Sequence, residues 1–116
     1  MIKAKVLKSL NEQLNFEFHS AYHYLSMESF FRGLNLNGFA RWMRKQYHEE
    51  RKHGLKIYDF IHEREGKVRL NFLAEPPQGW DSPLGALKDA YQQEQFASGM
   101  INDLIDLAIT ERDHAT

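Results

Sequence analysis

Cysteine is absent from the 116-residue sequence, which excludes disulfide bonds, thiolate metal ligands and cysteine nucleophiles. The N-terminus has no uninterrupted apolar stretch of the signal-peptide type, and nothing in the sequence approaches a membrane span. A formal charge of −1 gives no basic excess for binding nucleic acid. We therefore expect a cytoplasmic protein that binds neither membrane nor nucleic acid.

Proline is also scarce. The three prolines lie close together at positions 76, 77 and 83, and they leave long stretches on either side without a helix breaker. Apolar residues recur in these stretches at steps of three and four, which predicts helices over residues 5–32, 38–65 and 83 to about 112. Helices of about 28 residues are far longer than the globular average. We therefore predict an all-α helical bundle that forms one domain over residues 1–116.

The connections between the helices predict their directions. Gly33 and Gly66 are expected to end the first two helices, Asn37 to cap the second, and Ser82 with Pro83 to begin the third. The first connection is short, so the first two helices should be antiparallel neighbours. The second has roughly 17 residues, enough to cross the about 42 Å of a 28-residue helix, so the second and third helices should be parallel. The alternation of apolar residues 68, 70 and 72 in it predicts an extended segment packed on one face.

Each predicted helix carries one apolar seam of the type found in bundles, with alternating steps of three and four residues. A carboxylate interrupts the middle of each seam, at Glu17, Glu50 and Glu94. In the second helix His53 follows Glu50 at i+3, on the same face. The alternative for this pair is an ordinary surface position. Glu28 continues the seam of the first helix towards its end, where it is expected to be solvated. The histidines at 19, 23, 48, 62 and 114 have no such spacing and are expected at the surface.

The seam carboxylates are expected to meet at one depth of the bundle. Glu17 lies 16 residues before Gly33, and His53 lies 16 residues after Asn37, so an antiparallel pair brings them level. Glu94 lies at a similar depth in the third helix. Buried carboxylates at one level repel each other and are costly to desolvate. A cation would relieve both costs, and carboxylates with one imidazole suit Fe(II), Mn(II) or Zn(II).

Three stretches resemble the helices of bacterial non-haem ferritins: "LNEQLNFEFHSAYHYLSM" (10–27), "YHEERKH" (47–53) and "DAYQQEQF" (89–96). The similarity covers essentially the whole chain. It implies that Glu17 is a terminal ligand of a first iron, that Glu50 bridges two irons, that His53 is the nitrogen ligand of the first iron, and that Glu94 serves the second.

The same resemblance implies roles for two further residues. Tyr24 matches a tyrosine beside the iron centre, and Glu49 matches a carboxylate of an extra third iron site. It also implies a ferroxidase, which oxidises Fe(II) to Fe(III) with oxygen or peroxide and stores ferric mineral inside a 24-subunit homo-oligomeric shell. The iron is non-haem in that family.

The sequence departs from the family pattern at its C-terminus. Ferritins have a fourth long helix, and this sequence ends where the turn to that helix is expected. The domain is therefore expected to be C-terminally truncated, with Glu50 and Glu94 as the only ligands of the second iron. Three helices of a four-helix bundle leave an apolar groove open, so we expect the chain to self-associate.

Several alternatives remain open at this point. A rubrerythrin-like peroxidase would need a cysteine iron site, which this sequence lacks. Haem-binding bacterioferritins have a methionine directly after the second-helix glutamate; here that position is Arg51, so no haem is expected. A non-catalytic helical association module, or a truncated ferritin that binds metal without efficient oxidation, fits the same seams.

Overall fold

The computed structural model of the protein describes residues 2–111, which form three α-helices and no β-strand. The helices are α1 (Ala4–Gly33), α2 (Asn37–Glu63) and α3 (Pro83–Thr110). The predicted all-α architecture is confirmed, and the predicted helix limits agree within about two residues. The predicted end of the third helix, near residue 112, lies outside the described residues. None of the three helices is long and apolar enough to cross a membrane.

Helix α1 packs against both of the other helices and runs antiparallel to each. On α2, Arg44 binds Glu28, and the ring centroid of Phe39 lies 5.4 Å from that of Phe31. On α3, the ring centroid of Phe96 lies 5.2 Å from that of Phe16, while Asp89 pairs with His23 further along α1. Because α2 and α3 both oppose α1, they are parallel to each other, as the length of the crossover predicts.

The apolar core consists of two clusters at opposite ends of the bundle. One contains Tyr24, Met27, Phe31 and Met43, with alanines from α3. The other contains five buried aliphatic residues: Ile2, Val6, Leu10, Leu14 and Ile61. The seam carboxylates of α1 and α2 lie between these clusters in sequence, which places a polar layer in the middle of the bundle.

Helix α3 buries only small residues fully within the described part of the chain: Ala86, Ala90 and Ala108. Leu87, Leu104 and Leu107 are half-buried against the two core clusters. Four large apolar residues of its predicted seam are exposed: Leu84, Tyr91, Ile101 and Ile105. Therefore α1 and α2 cover the predicted seam of α3 only in part, and the face that carries these four residues lies open.

The helix ends differ in part from the predictions. The left-handed residues are Asn35 and Glu65, with φ of 58° and 61°, rather than the predicted Gly33 and Gly66. Gly66 instead allows a close approach, since a Cβ atom there would lie 2.9 Å from the side chain of Leu7.

The predicted helix starts are confirmed for α3 only. The hydroxyl of Ser82 accepts a hydrogen bond from the N–H of Gly85, and Pro83 is the first helical residue. Asn37, predicted as the cap of α2, is instead its first residue. Leu36 precedes it and makes no side-chain capping bond, so that prediction was wrong.

Two asparagines of α1 hold the crossover against the bundle. Asn11 and Asn15 accept hydrogen bonds from the N–H groups of Arg69 and Asn71, each at 2.8 Å. Their side-chain amides also donate to backbone carbonyls of Lys67 and Arg69. The segment is thus extended, as predicted, although its backbone bonds side chains rather than a neighbouring strand.

The predicted packing of the crossover is correct at only one of its three apolar residues. Val68 packs against the aliphatic core cluster that contains Leu14 and Ile61. Leu70 and Phe72 do not, and Phe72 is 90% exposed. Asn11 and Asn15 hold this segment through its backbone, so it keeps its place although Leu70 and Phe72 are not packed.

Candidate metal centre

A group of possible metal ligands lies midway along α1 and α2. Glu17, Glu50 and His53 each offer one ligand atom, and these atoms all lie within 4.8 Å of one another. His53 follows Glu50 by one helical turn, and its Nδ1 lies 3.9 Å from Glu50 Oε2. The antiparallel packing of the two helices thus places Glu17 at the depth that the sequence predicts.

The two carboxylates are buried without a basic partner. Glu17 is 3% exposed and Glu50 is 6% exposed. None of the ion pairs found within residues 2–111 joins either of them to a lysine or an arginine. A buried carboxylate that lacks a counter-charge is rare in proteins. Its desolvation costs roughly several kcal/mol, even after the surrounding protein has relaxed around the charge.

Glu28 provides an internal comparison on the same helix. It is as buried as Glu17, at 3% exposure, so the expectation of a solvated residue was wrong. Its two oxygens accept hydrogen bonds from Arg32 at 3.0 Å and Arg44 at 2.6 Å. The fold therefore neutralises Glu28 with arginines and leaves the Glu17 and Glu50 pair without them, which is the arrangement that a cation site requires.

The neighbouring carboxylates change the protonation of Glu50. Burial, followed by the hydrogen bond with Glu17 and the negative charges of Glu17, Glu94 and Glu49, raises the pKa of Glu50 to about 9. At neutral pH the metal-free site thus keeps a proton on Glu50. A divalent cation would replace this proton, because carboxylate ligands bind metals in their charged form.

Glu94 adjoins this group through Tyr24. The Tyr24 side chain is buried, and its hydroxyl donates a 2.5 Å hydrogen bond to Glu94 Oε1. Burial, then this bond and the charge of Glu94, raise the pKa of Tyr24 far above its usual range, so the phenol stays protonated. Glu94 itself is exposed on the open face of α3 and lies outside the group of three.

Glu49 also lies outside the group of three. Its side chain is exposed on α2, although its charge contributes to the raised pKa of Glu50. A role in a third iron site stays a prediction.

The histidines expected at the surface include one exception. His23 is buried, with Nε2 lying 2.8 Å from Asp89 Oδ2. The same oxygen accepts a 2.8 Å hydrogen bond from Trp80 of the crossover. The expectation was wrong for His23, and His114 lies outside the described residues.

Sequence reasoning missed one neighbour of the group, Gln13. It is 2% exposed, and its Nε2 donates a 2.8 Å hydrogen bond to Glu17 Oε1. Gln13 lies outside the predicted seam of α1, which uses positions 10, 14 and 17. The available signal was its i−4 spacing from Glu17, which places both side chains on one side of the helix.

The site combines two buried carboxylates with the imidazole of His53, whose side chain is 49% exposed. Such a set of ligands on two helices of a bundle defines a candidate metal-binding protein of the carboxylate type. The comparisons with known proteins agree. The model of the ferritin-like domain family matches residues 7–116. The chain belongs to this family.

Curated relatives match the whole chain. A bacterial non-heme ferritin of Bacteroides fragilis is 35% identical over 116 residues, which are 73% of that relative. One from Staphylococcus saprophyticus is 36% identical over all 116 residues, or 70% of its length. The chain therefore spans a little over two thirds of these relatives.

Solved structures show the same fold. An open pore ferritin from the archaeon Archaeoglobus fulgidus superposes with a TM-score of 0.96 at 44% identity. The match covers 99% of this chain and 71% of that one. A humanized archaeal ferritin gives the same TM-score at 41% identity.

Proposed function

We propose that the protein takes up ferrous iron at Glu17, Glu50 and His53 and oxidises it for storage. Family membership and fold support iron storage. The observation that carries the site is the pair of buried carboxylates without a basic partner beside a histidine. Oxygen-rich donors with one imidazole fit iron, which enters as substrate rather than as a permanent cofactor, and no haem is required.

The charge of the site favours oxidation. Each carboxylate that loses its proton adds a negative charge in a partly buried position. Attraction to a cation rises with the charge of the ion, so this environment stabilises Fe(III) more than Fe(II). The electrons would pass to oxygen or peroxide, as the resemblance implies.

We assign the second iron position to Glu50 and Glu94, with Tyr24 holding Glu94 by its hydroxyl. Glu94 is exposed, whereas Glu17 and Glu50 are buried. We expect the second ion to bind more weakly than the first. The second position has only two carboxylates, and one of them, Glu94, is exposed to solvent, so its geometry is less preorganised than that of the first position. Oxidation that needs both ions would then be slow.

Anaerobic Fe(II) titration tests the site. The wild-type protein should bind iron, and Glu50→Gln should lose the first binding event because an amide cannot supply the anionic ligand. Glu63→Gln is the matched control, since Glu63 is an exposed glutamate of the same helix. Equal binding by wild type and Glu50→Gln would reject the metal site.

A second candidate function is a non-catalytic helical association module. The open face of α3 favours it, because Leu84, Tyr91, Phe96, Ile105 and Ile109 are all exposed. Under that function wild-type protein would bind no iron in the same titration.

Both functions predict association between copies of this chain. Leu84, Tyr91, Ile105 and Ile109 of α3, here called the apolar stripe, are exposed, and the net charge of −1 offers little repulsion between copies. We propose a cytoplasmic homo-oligomer whose subunits bury this stripe. Sedimentation at micromolar concentration should give a species larger than 13.7 kDa; a monomer would contradict it.

A further inference from the structure

We infer that Gln13 is a positioning residue that fixes the orientation of Glu17 for metal binding. The inference rests on the proposed iron site and adds a residue to it. Gln13 lies one helical turn before Glu17 on α1, and both side chains are buried. The amide Nε2 of Gln13 donates a hydrogen bond of 2.8 Å to Glu17 Oε1.

This bond divides the two oxygens of Glu17 between two tasks. Oε1 is held by the amide of Gln13. Oε2 is buried, and the group that shares a hydrogen with Glu17 is Glu50, which is itself a candidate ligand. A carboxylate with one oxygen held by a neutral amide has a fixed plane and keeps its other oxygen for a cation. Hydrogen bonds of this kind orient ligands and raise metal affinity in other metalloproteins.

The amide of Gln13 is only half satisfied. Its carbonyl oxygen is buried without a partner in the described part of the chain, while its Nε2 holds Glu17. An apolar side chain at this position would remove the unpaired acceptor, but it would also leave Glu17 Oε1 without its donor. These two effects on stability oppose each other, so the distinctive contribution of the glutamine is to hold the carboxylate.

Gln93 offers a matched comparison on α3. Its Oε1 accepts a hydrogen bond from the Ser20 hydroxyl at 3.0 Å, and its Nε2 is buried without a partner in residues 2–111. Both glutamines thus carry one satisfied and one unsatisfied amide atom. They differ in that Gln13 binds a candidate metal ligand and Gln93 binds a serine.

The test uses the full chain and Co(II), a redox-inert probe under anaerobic conditions. Gln13→Met keeps the length of the side chain and removes the donor. We expect it to weaken Co(II) binding by about 10- to 100-fold, the usual effect of removing a group that orients a ligand. The visible spectrum of bound Co(II) should also change, because Glu17 would no longer be fixed in one plane. Gln93→Met should bind Co(II) as the wild type does.

Two further measurements separate positioning from structural support. The melting temperature of the metal-free Gln13→Met protein should change little, since the variant loses an unpaired buried acceptor but also loses the hydrogen bond to Glu17. In a Glu17→Gln background, Gln13→Met should have no additional effect on Co(II) binding. Gln13→Asn, whose amide is one methylene too short to reach, should weaken binding like Gln13→Met and serves if the methionine variant fails to fold.

The outcomes are distinguishable. Wild-type affinity and an unchanged spectrum in both Gln13 variants would overturn the inference, as would a lower melting temperature with unchanged affinity. If the wild-type protein binds no Co(II) and no Fe(II), the proposed function fails and the inference falls with it.

Discussion

Helices α1 and α3 both border the candidate site, but their burial differs greatly. α1 lies between the other two helices and buries large side chains on more than one side, including Leu14, Tyr24 and Phe31. α3 buries only alanines within residues 2–111, and Tyr91 of its apolar stripe is 65% exposed. Apolar periodicity therefore identifies the face of a helix that would be buried against a partner, but it does not show whether this chain provides that partner.

The same difference divides the candidate site. The α1 side offers Glu17, which is buried, held by an amide and fixed in depth by packing on two sides. The α3 side offers Glu94, which is exposed and held by a single tyrosine hydroxyl. Metal affinity should therefore be concentrated on the α1 and α2 side.

The largest expected effect comes from replacing Glu17, the candidate metal ligand on α1. Glu17→Gln should lower the affinity for the first Fe(II) by more than about 100-fold, since loss of a ligand exceeds the 10- to 100-fold typical of its supporting groups. Glu94→Gln should leave this first affinity nearly unchanged and weaken only the second event. Anaerobic calorimetry resolves the two events. Equal losses in both variants would show that the two sides of the site are not separate.

Truncating apolar side chains tests whether α1 contributes more than the exposed face of α3 to the free energy of unfolding. Leu14→Ala removes a fully buried side chain from α1 and should lower the free energy of unfolding by about 2–5 kcal/mol. Ile105→Ala, on the exposed stripe of α3, should cost less than about 1 kcal/mol in dilute protein. Urea unfolding at low concentration measures both. A large cost for Ile105→Ala would mean that another chain covers the stripe under those conditions.

The stability of the metal-free protein should depend on pH through Glu50. The pKa of this group is raised from 4.5 to about 9 in the native state, so between these values the native chain holds a proton that the unfolded chain has lost. The free energy of unfolding should consequently fall as pH rises through this range, after treatment with a chelator.

Glu50→Gln should flatten this dependence, because its amide does not titrate. Glu63→Gln, with an exposed side chain, should keep it. Denaturant melts at several pH values measure the slope, and identical slopes in wild type and Glu50→Gln would assign the effect to other groups.

The smallest expected effect concerns the helix starts. Ser82→Ala should destabilise the protein by about 0.5–2 kcal/mol, because Ser82 caps α3 through the N–H of Gly85. Asn37→Ala should have little effect, since no side-chain capping bond is found at the start of α2. Thermal unfolding compares the two variants. A matching loss in Asn37→Ala would show that α2 depends on this residue in a way that capping does not explain.

Several features could be predicted from local patterns. Periodicity predicted three long helices, and the length of the crossover predicted parallel α2 and α3; both are confirmed. The i+3 spacing of Glu50 and His53 predicted that both lie on one face of α2. The numbers of residues between these positions and the helix ends predicted that Glu17 lies at the same depth of the bundle, and its ligand atom is within 4.8 Å of theirs. These predictions succeed because a helix has a fixed rise and a fixed rotation per residue.

Other features depended on contacts that no local pattern reveals. Glu17 and Glu28 both lie on the seam of α1, and both are buried. Only the packing of α2 supplies Arg44 to Glu28, whereas no arginine reaches Glu17 in the described part of the chain. The left-handed positions at Asn35 and Glu65 likewise follow from the hydrogen bonds that close each helix rather than from the nearest glycine.

The helices, their directions and the family to which the chain belongs could be read from the amino-acid order alone, because they depend on periodicity, connection length and residue identity along the chain. The tertiary structure decided which carboxylates are neutralised by arginine and which remain for a cation, since charge compensation depends on side chains from different helices. It also decided that α3 fully buries only alanines within the described residues, packs Leu104 and Leu107 partly, and leaves Leu84, Tyr91 and Ile105 exposed. Which apolar side chains of a helix are covered depends on the helices beside it, and periodicity along one helix does not specify those.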